Sequence, residues 1–318
     1  MIESAITLGD FVAFGSYLML LTWPTAAIAW IINLIQRGQV SLKRIQDILD
    51  TPPMITDQAD VKTALSLTKP PKIEVKNLCF KIQNEAPILK GISFTIQPGH
   101  TLGIFGPTGS GKTVLSRVLA RLESVPQNTL FIDDIDILKW PLKAYREGLS
   151  YVPQESFLFS DTIAQNVAFY QPESKSVQSE AVEMASQNAS IEYDIHRFPK
   201  NYDTLVGEKG VILSGGQKNR LALSRALYKP HFILILDDIL SAVDHKTETK
   251  LIQNLFKNKG QTTSVLISHR VSALTHCDQI LVLEEGHITD SGTHQSLLEK
   301  EGIYKHTWQY QKLENTHE

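Results

Sequence analysis

The fold of this chain is decided by the stretch Gly106-Pro107-Thr108-Gly109-Ser110-Gly111-Lys112-Thr113. It matches the pattern GxxxxGK[ST], whose glycines let successive backbone N–H groups surround phosphate oxygens at the positive end of a helix dipole. The apolar run Thr101–Phe105 before it predicts a strand, and apolar residues recur at helical spacing from Val114 to Leu122 after it. The order strand, glycine-rich loop, helix therefore predicts a phosphate-binding loop (P-loop).

The side chains of this loop and of a second strand predict a site for ATP with Mg²⁺. We expect Lys112 to reach the β- and γ-phosphates and the Thr113 hydroxyl to ligate Mg²⁺. The run Phe232–Leu236 is apolar throughout, as in a central strand buried on both faces, and ends in Asp237-Asp238. Asp237 is predicted to hold the metal through water; the alternative is that it only caps a helix.

The remaining strand patterns predict an α/β fold of the P-loop NTPase (RecA-like) class with a mainly parallel sheet. Val265–Ile267 and Ile280–Leu283 are further apolar strands, separated by helical stretches. Ile73–Phe80 and Ile92–Ile96 alternate and are followed by Pro98-Gly99, which predicts an antiparallel β subdomain.

An apolar segment near the beginning predicts a membrane span. Residues 11–35 contain no charged side chain, and a helix of that length, at about 1.5 Å per residue, can cross a hydrocarbon core of about 30 Å. A buried core helix or a signal peptide is the alternative, but the segment lacks a basic start and a small-residue cleavage site. Because Arg37, Lys43 and Arg44 follow the span, its C-terminal side should be cytoplasmic.

These patterns divide the chain into three parts. We expect residues 1–50 to be the end of a transmembrane domain, residues 51–72 to be a linker, and residues 73–318 to be a nucleotide-binding domain with a helical subdomain at about 155–225. One helix cannot enclose a substrate pathway, so the span is expected to be the last of a larger membrane domain. The protein is expected in the cell membrane, with the nucleotide-binding domain in the cytoplasm.

Composition disfavours several other classes. With 42% apolar and 20% charged residues, the chain can build a globular core. A net charge of −3 without a basic stripe argues against a nucleic-acid partner. Cys79 and Cys277 have no CxxC spacing, so neither a disulfide framework nor a zinc site is indicated.

The peptide Leu213-Ser214-Gly215-Gly216-Gln217, followed by an apolar helical stretch, resembles the signature of ATP-binding cassettes. Ser214 and the glycine N–H groups at a helix N-terminus are suited to bind an anion. The resemblance to the ABC transporter family covers about residues 73–310. It implies that two cassettes join head to tail, so that the P-loop of one faces the signature of the other across ATP.

Other segments resemble further motifs of this family. Gln154, after Tyr151-Val152-Pro153, looks like the glutamine that links Mg²⁺ and the γ-phosphate to the membrane domain, and His269 looks like the switch histidine. The resemblance implies catalytic roles for Gln154, Asp238 and His269, and magnesium contacts from Thr113, Gln154 and Asp237. Two more segments are similar to family loops, namely the D-loop, Ser241-Ala242-Val243-Asp244, and the cross-talk loop of exporters, Val206-Gly207-Glu208-Lys209-Gly210.

The sequence departs from the family at the catalytic base, where Asp238 replaces the usual glutamate. A carboxylate drawn back by more than an ångström loses alignment on the attacking water, which can cost about 10²-fold in rate. We therefore predict that the site on this chain's own P-loop binds ATP and hydrolyses it slowly; a local shift that restores the base is the alternative. The adenine-stacking aromatic is expected two residues after Phe80, where Ile82 stands, and Phe80 stays unassigned.

Three functions compete on these observations. The first is half of an ATP-driven, multidrug-resistance-like exporter, whose second ABC half-transporter is expected to form a heterodimer because the signature is intact beside a weak base; a homodimer stays open. The second is a cassette ATPase acting on ribosomes or DNA, which the span disfavours. The third is a regulatory nucleotide-binding module, which Asp238 keeps open.

Overall fold

The computed structural model describes residues 7–58, 61, 65–82, 86–170, 179–207, 213–240, 243–257 and 259–314. The chain divides into two compact units, Met1–Met54 and Ile55–Glu318. Of the described residues, the first unit contains one long helix, and the second contains both sheets.

Helix α1 spans Leu8–Leu49 and contains the predicted membrane segment. It begins with a capping box, in which the Thr7 hydroxyl accepts from the Asp10 N–H and the Asp10 carboxylate accepts from the Thr7 N–H. The helix continues through Pro24, and none of its residues is buried. Within the described chain it is the one helix long and apolar enough to cross a membrane, by length and composition.

The second unit contains the remaining elements. Its strands are β1 (Ile73–Phe80), β2 (Leu89–Ile96), β3 (Thr101–Phe105), β4 (Leu130–Ile132), β5 (Ile135–Asp136), β6 (Leu149–Val152), β7 (Ile233–Asp237), β8 (Thr263–Ile267), β9 (Gln279–Glu284) and β10 (His287–Gly292). Its α-helices are α2 (Lys112–Leu119), α3 (Leu142–Glu147), α4 (Ile163–Val167), α5 (Ser179–Asn188), α6 (Glu192–His196), α7 (Gly215–Tyr228), α8 (His245–Lys257), α9 (His294–Glu299) and α10 (Ile303–Glu314).

The larger sheet is mainly parallel, as predicted. Its strand order is β10-β9-β3-β8-β7-β6, and only β10 runs antiparallel to its neighbour. A smaller antiparallel sheet has the order β2-β1-β4-β5 and includes the two strands predicted for the β subdomain. The α/β class with a parallel sheet and an antiparallel β portion is therefore confirmed.

Two apolar layers cover the faces of the parallel sheet. Along β7, Ile233 and Ile235 pack with α2 and the antiparallel sheet, whereas Leu234 and Leu236 pack with α4, α5 and α7. Side chains of a strand alternate between faces, so a strand covered on both sides must be apolar throughout. This burial explains the uninterrupted apolar run that ends at Asp237.

The prediction that the helix after the P-loop reaches Leu122 was wrong in its last turn. Helix α2 ends at Leu119, and Arg121 adopts the left-handed φ of 51°. The Leu122 N–H donates to the Arg117 carbonyl and the Arg121 N–H to the Val118 carbonyl, which is a Schellman ending. The buried Arg121 guanidinium donates to the carbonyls of Ile137 and Trp140, and these bonds hold the turn without a glycine.

The described residues of the segment predicted as a linker are non-helical, and those from Ile55 onward belong to the second unit. The side chains of Leu65 and Leu67 lie against the apolar layer that contains β1 and α2. The Asp57 carboxylate accepts from the Leu142 N–H at 2.8 Å, and the Pro71 carbonyl accepts from the Thr263 hydroxyl at 2.7 Å. These contacts fix the chain where it enters β1.

Candidate active site

The carboxyl ends of four neighbouring parallel strands bring most of the predicted site residues to one edge of the sheet. The register pairs Ile104 with Ile267 and Ile267 with Asp237, so β3, β8 and β7 end at the same level. The P-loop follows β3, His269 follows β8, and Asp238 follows Asp237, the last residue of β7. Gln154 follows the edge strand β6 and is exposed.

Two glycines of the P-loop have different structural roles. A Cβ on Gly106 would lie 2.1 Å from the Leu283 carbonyl oxygen, so this glycine lets β9 approach the loop. Gly111 has a φ of 99° and is the N-cap of α2, where no side chain accepts from the first N–H groups. Those N–H donors are therefore available to phosphate oxygens at the positive end of the helix.

Lys112 lies folded over the loop. Its ammonium donates to the carbonyls of Gly106 and Pro107 at 2.8 and 2.7 Å. Burial lowers the pKa of Lys112, and the charges of Asp238 and Asp237 oppose that shift. An anionic phosphate in the loop would favour the charged ammonium in the same way.

Asp237 is buried at the end of β7 and joins the strand to the P-loop helix. Its carboxylate accepts from the Ser116 hydroxyl at 2.9 Å and from the Thr113 hydroxyl at 3.3 Å. Burial raises the pKa of Asp237 despite these two hydrogen bonds. Tyr151 of β6 also reaches this cluster, with its hydroxyl 3.4 Å from Ser116 Oγ.

The residues present fit a magnesium ion bound together with phosphate. Mg²⁺ is usually held by one or two carboxylates or hydroxyls plus substrate phosphates and water, rather than by an all-protein cage. Thr113 and Asp237 supply such a pair, with their oxygens 3.3 Å apart. Within the described residues no cluster of three His, Cys, Asp or Glu side chains forms, so a protein-only metal cage is not present there.

Asp238 contacts the predicted switch histidine. His269 Nδ1 lies 2.9 Å from Asp238 Oδ1 and 3.2 Å from Oδ2. Asp238 adopts a φ of 49°, and its N–H donates to the Ile267 carbonyl of β8. The carboxylate is mostly buried, whereas the imidazole is half exposed.

The position predicted to contact adenine is apolar but not aromatic. Phe80 is buried in the core, so its ring is not available to a nucleotide. Ile82 is 47% exposed, which makes it the accessible side chain of the pair. An exposed isoleucine provides an apolar contact without ring stacking.

The signature peptide forms a capped helix N-terminus. Ser214 is the N-cap of α7; its hydroxyl accepts from the Gln217 N–H, and the Gln217 side chain accepts from the Ser214 N–H. Gln217 Nε2 also donates to the Asp194 carboxylate at 2.9 Å, and Arg220 donates to its other oxygen at 2.8 Å. Ser214 and Gly215 are exposed, so the helix end is open to a ligand.

Part of the remaining predicted loops lies outside the described residues, namely Ser241 and Ala242 of the D-loop and Glu208, Lys209 and Gly210 of the cross-talk loop. Val243 is buried, and its carbonyl accepts from Arg270 at 3.1 Å. The Asp244 carboxylate accepts from the Thr247 N–H in the first turn of α8.

Sequence reasoning missed four polar residues that support the site: Ser116, Tyr151, Asp194 and Glu248. Ser116 was detectable, because it lies one helical turn after Thr113 and so faces the same side of α2. The other three act across long sequence separations. Glu248, which is 2% exposed, pairs with Arg270 at 2.5 Å and accepts from the Ser272 hydroxyl.

Comparison with known proteins identifies the family that carries this arrangement. Residues 89–241, which include the P-loop, the signature, Asp237 and Asp238, match the family described as ABC transporter. The chain belongs to the ABC transporter family. Over 316 residues it is 40% identical to the multidrug resistance-like ATP-binding protein MdlA of Escherichia coli (strain K12). This alignment covers 98% of this chain and 52% of that protein.

Other relatives support the same assignment. The probable multidrug resistance ABC transporter ATP-binding/permease protein YheI of Bacillus subtilis (strain 168) is 39% identical over 312 residues, covering 98% of this chain and 52% of that protein. A solved structure of a bacterial Atm1-family ABC exporter with ATP bound superposes with a TM-score of 0.81 at 33% identity, covering 96% of this chain and 53% of that chain. The chain thus spans about half the length of the relatives it matches.

The buried charge of Asp237 yields a stability prediction. Its folded pKa is raised, so the ionised form at pH 7 is disfavoured by the fold, and the cost appears as pH rises above the unfolded pKa. Asp237→Asn should therefore raise the unfolding temperature of the nucleotide-free chain at pH 7. The new amide can donate to Ser116 Oγ, which frees the Ser116 hydroxyl proton for the Thr113 carbonyl 2.8 Å away. The same variant should lose most of the stabilisation by Mg·ATP, which is about 2.7 kcal/mol at a hundredfold excess over Kd for an unimpaired site.

Asp278→Asn is the opposite-sign control. Burial by itself would raise the pKa of Asp278, but the salt bridge to Lys259 and the hydrogen bond from the Thr101 N–H outweigh it and lower the pKa. Its ionised form therefore stabilises the fold at pH 7, and the amide should lower the unfolding temperature while Mg·ATP still stabilises the variant. Thermal unfolding in detergent at pH 7 measures both; a destabilised Asp237→Asn would contradict the assigned sign.

Proposed function

We propose that this chain is the nucleotide-binding half of an ATP-driven membrane exporter, paired with a second ABC half-transporter. One observation carries the proposal: the chain supplies both a complete phosphate-binding edge, built from the P-loop, Asp237, Asp238 and His269, and an exposed, capped helix N-terminus at Ser214. The multidrug names of its relatives and the exporter superposition support export, and α1 supports a location in the cell membrane with the cassette in the cytoplasm.

Each residue at the sheet edge has a part in ATP hydrolysis on this proposal. The N–H groups of α2 and the Lys112 ammonium bind the phosphates, while Thr113 and Asp237 hold Mg²⁺, with Gln154 as a further contact. When bound, Mg²⁺ neutralises charge that develops on the phosphate oxygens. Asp238 is the group that orients the attacking water, and ATP binding between the P-loop of one cassette and Ser214 to Gln217 of the other closes the pair.

The contact between Asp238 and His269 sets how the histidine can act. If Nδ1 donates its proton to the carboxylate, Nε2 carries a proton only when the ring is the imidazolium. Donation from Nε2 to a γ-phosphate therefore requires the charged ring. The short carboxylate is thus engaged by His269, and we infer slow hydrolysis at this chain's own site.

A second candidate function is a regulatory module in which ATP stabilises the dimer without being hydrolysed at this site. The Asp238–His269 distance of 2.9 Å favours it, because a carboxylate held by histidine is not directed at water. The two candidates differ in whether lengthening the base restores turnover.

Asp238→Glu should raise ATP turnover of the purified full chain by about tenfold or more, since the added methylene returns the carboxylate toward the water and misplacement of this size costs about 10²-fold. ATP affinity should change little. Phosphate release at saturating Mg·ATP and a Kd for ATP measure the two effects. Asp290→Glu, at a partly exposed residue paired with Lys300, is the matched control and should leave turnover unchanged. Fast wild-type turnover that Asp238→Asn abolishes would show that the aspartate is already a competent base.

Asp194 provides a test of whether the signature acts on the partner's ATP. Asp194→Ala removes the acceptor that holds Gln217 and Arg220, so the N-terminus of α7 should lose its fixed direction. Two differently tagged copies of the chain can be co-purified, one carrying Asp238→Glu as the Glu-bearing cassette. Turnover should fall about tenfold when Asp194→Ala is in the other copy, and less when it is in the Asp238→Glu copy itself.

The control for this exchange is Glu192→Ala, in the same short helix, where the carboxylate accepts from Gln187 rather than from the signature. It should leave turnover unchanged in both arrangements. An equal effect of Asp194→Ala in the two arrangements would contradict action across the dimer.

A further inference from the structure

The Gln311 side chain, on α10, makes two hydrogen bonds to the backbone of the loop that contains His269 (residues 268–272, the switch loop). Its Nε2 donates to the His269 carbonyl at 3.1 Å, and its Oε1 accepts from the Val271 N–H at 2.9 Å. The two bonds use both ends of one amide, so the side chain fixes the separation and the orientation of two peptide groups. The residue between them is Arg270.

The opposite side of the same loop is held by α8 and the end of the D-loop. Arg270 pairs with the buried Glu248 and donates to the Val243 carbonyl, and Ser272 donates to the other Glu248 oxygen. These contacts hold residues 270 and 272. Of the described hydrogen bonds, the Gln311 bond is the one that a side chain outside the loop makes to the backbone of His269 itself.

The backbone position matters more for His269 than for a core residue. Its imidazole is half exposed, so surrounding side chains restrict it little, and its one described side-chain partner is Asp238. A ring with a single lateral contact takes its position mainly from the peptide to which it is attached. A support on that peptide therefore acts on the ring.

Helix α10 is itself fixed beside the P-loop strand. Tyr304 is buried, and its ring meets Phe105, the last residue of β3, edge-to-face with centroids 5.2 Å apart. The Tyr304 hydroxyl also lies 2.9 Å from His294 Nδ1 of α9. Gln311 lies two helical turns after Tyr304, so the support on His269 is tied to the strand that precedes the glycine loop.

We propose that Gln311 is a positioning residue for the switch histidine, which holds His269 in register with Asp238 and the γ-phosphate through the backbone. The proposal rests on the proposed ATPase function of the same site. On this proposal ATP turnover depends on a residue of α10, the last described helix of the chain, which is far in sequence from the motifs that contact nucleotide.

Gln311→Met keeps the length of the side chain and removes both hydrogen bonds. Because the peptide at 269 loses its support while the P-loop is untouched, turnover at saturating ATP should fall by about tenfold, within the range that a displacement of about 1 Å can cause, and the Kd for ATP should change less than twofold. Gln311→Glu keeps an acceptor for the Val271 N–H and loses the donor to the His269 carbonyl, so its turnover should be intermediate. Gln309→Met, at an exposed glutamine of the same helix, is the matched control.

The experiment uses the full chain in detergent, with native Asp238 and with Asp238→Glu, and measures turnover, ATP affinity and amide hydrogen exchange of residues 268–272. In Gln311→Met the exchange of the Val271 amide should rise about tenfold, and in Gln309→Met it should not. Turnover and exchange that match the control would overturn the proposal, as would a loss of turnover that accompanies an equal loss of ATP affinity. If the unmodified chain does not bind ATP, the proposed function fails instead, and the exchange measurement still decides whether Gln311 supports the loop.

Discussion

The site depends on the burial of Asp237 at the carboxyl end of β7. A carboxylate there is desolvated, and its raised pKa records that cost. The hydroxyls of Thr113 and Ser116 offset part of it by donating to the two oxygens, and in doing so they tie the first turn of α2 to the sheet. These two hydrogen bonds connect the elements around the site, and a divalent cation near Asp237 would further offset the cost of burying its charge.

Most of the fold and the nucleotide edge could be predicted from the sequence because their signals are local. The loop Gly106–Thr113, the apolar run before Asp237 and the peptide at Ser214 each combine a strand or helix pattern with polar residues at fixed offsets, and parallel strands place their carboxyl ends together. The end of α2 was misjudged because helical spacing continues to Leu122, whereas buried carbonyls of residues 137 and 140 draw Arg121 into the left-handed conformation. The hydrogen bonds that favour this helix end therefore come from a segment that is distant in sequence.

The supports of the site could not be predicted for the same reason. Asp194 meets Gln217 across 23 residues, and Gln311 meets His269 across 42. Neither an aspartate in a short helix nor a glutamine in an amphipathic one carries a pattern that distinguishes it from a solvated surface residue. Their importance arises from packing, because α6 is placed against α7, and α10 against the strand that leads into the P-loop.

The replacement of glutamate by Asp238 has consequences beyond the missing methylene. A local shift that restores the reach of the carboxylate would have to move the backbone, yet the Asp238 N–H is bonded to the Ile267 carbonyl, and Asp237 is in register with Ile267. Moving this backbone would break the β7–β8 ladder at its carboxyl end. Rotation of the side chain is the remaining freedom, and it exchanges the His269 contact for the water. An aspartate at this position therefore cannot contact the switch histidine and orient the attacking water at the same time. A longer side chain can reach the water with the backbone still in place. That competition is the physical ground on which we propose a slow site on this chain and faster hydrolysis at a partner's P-loop.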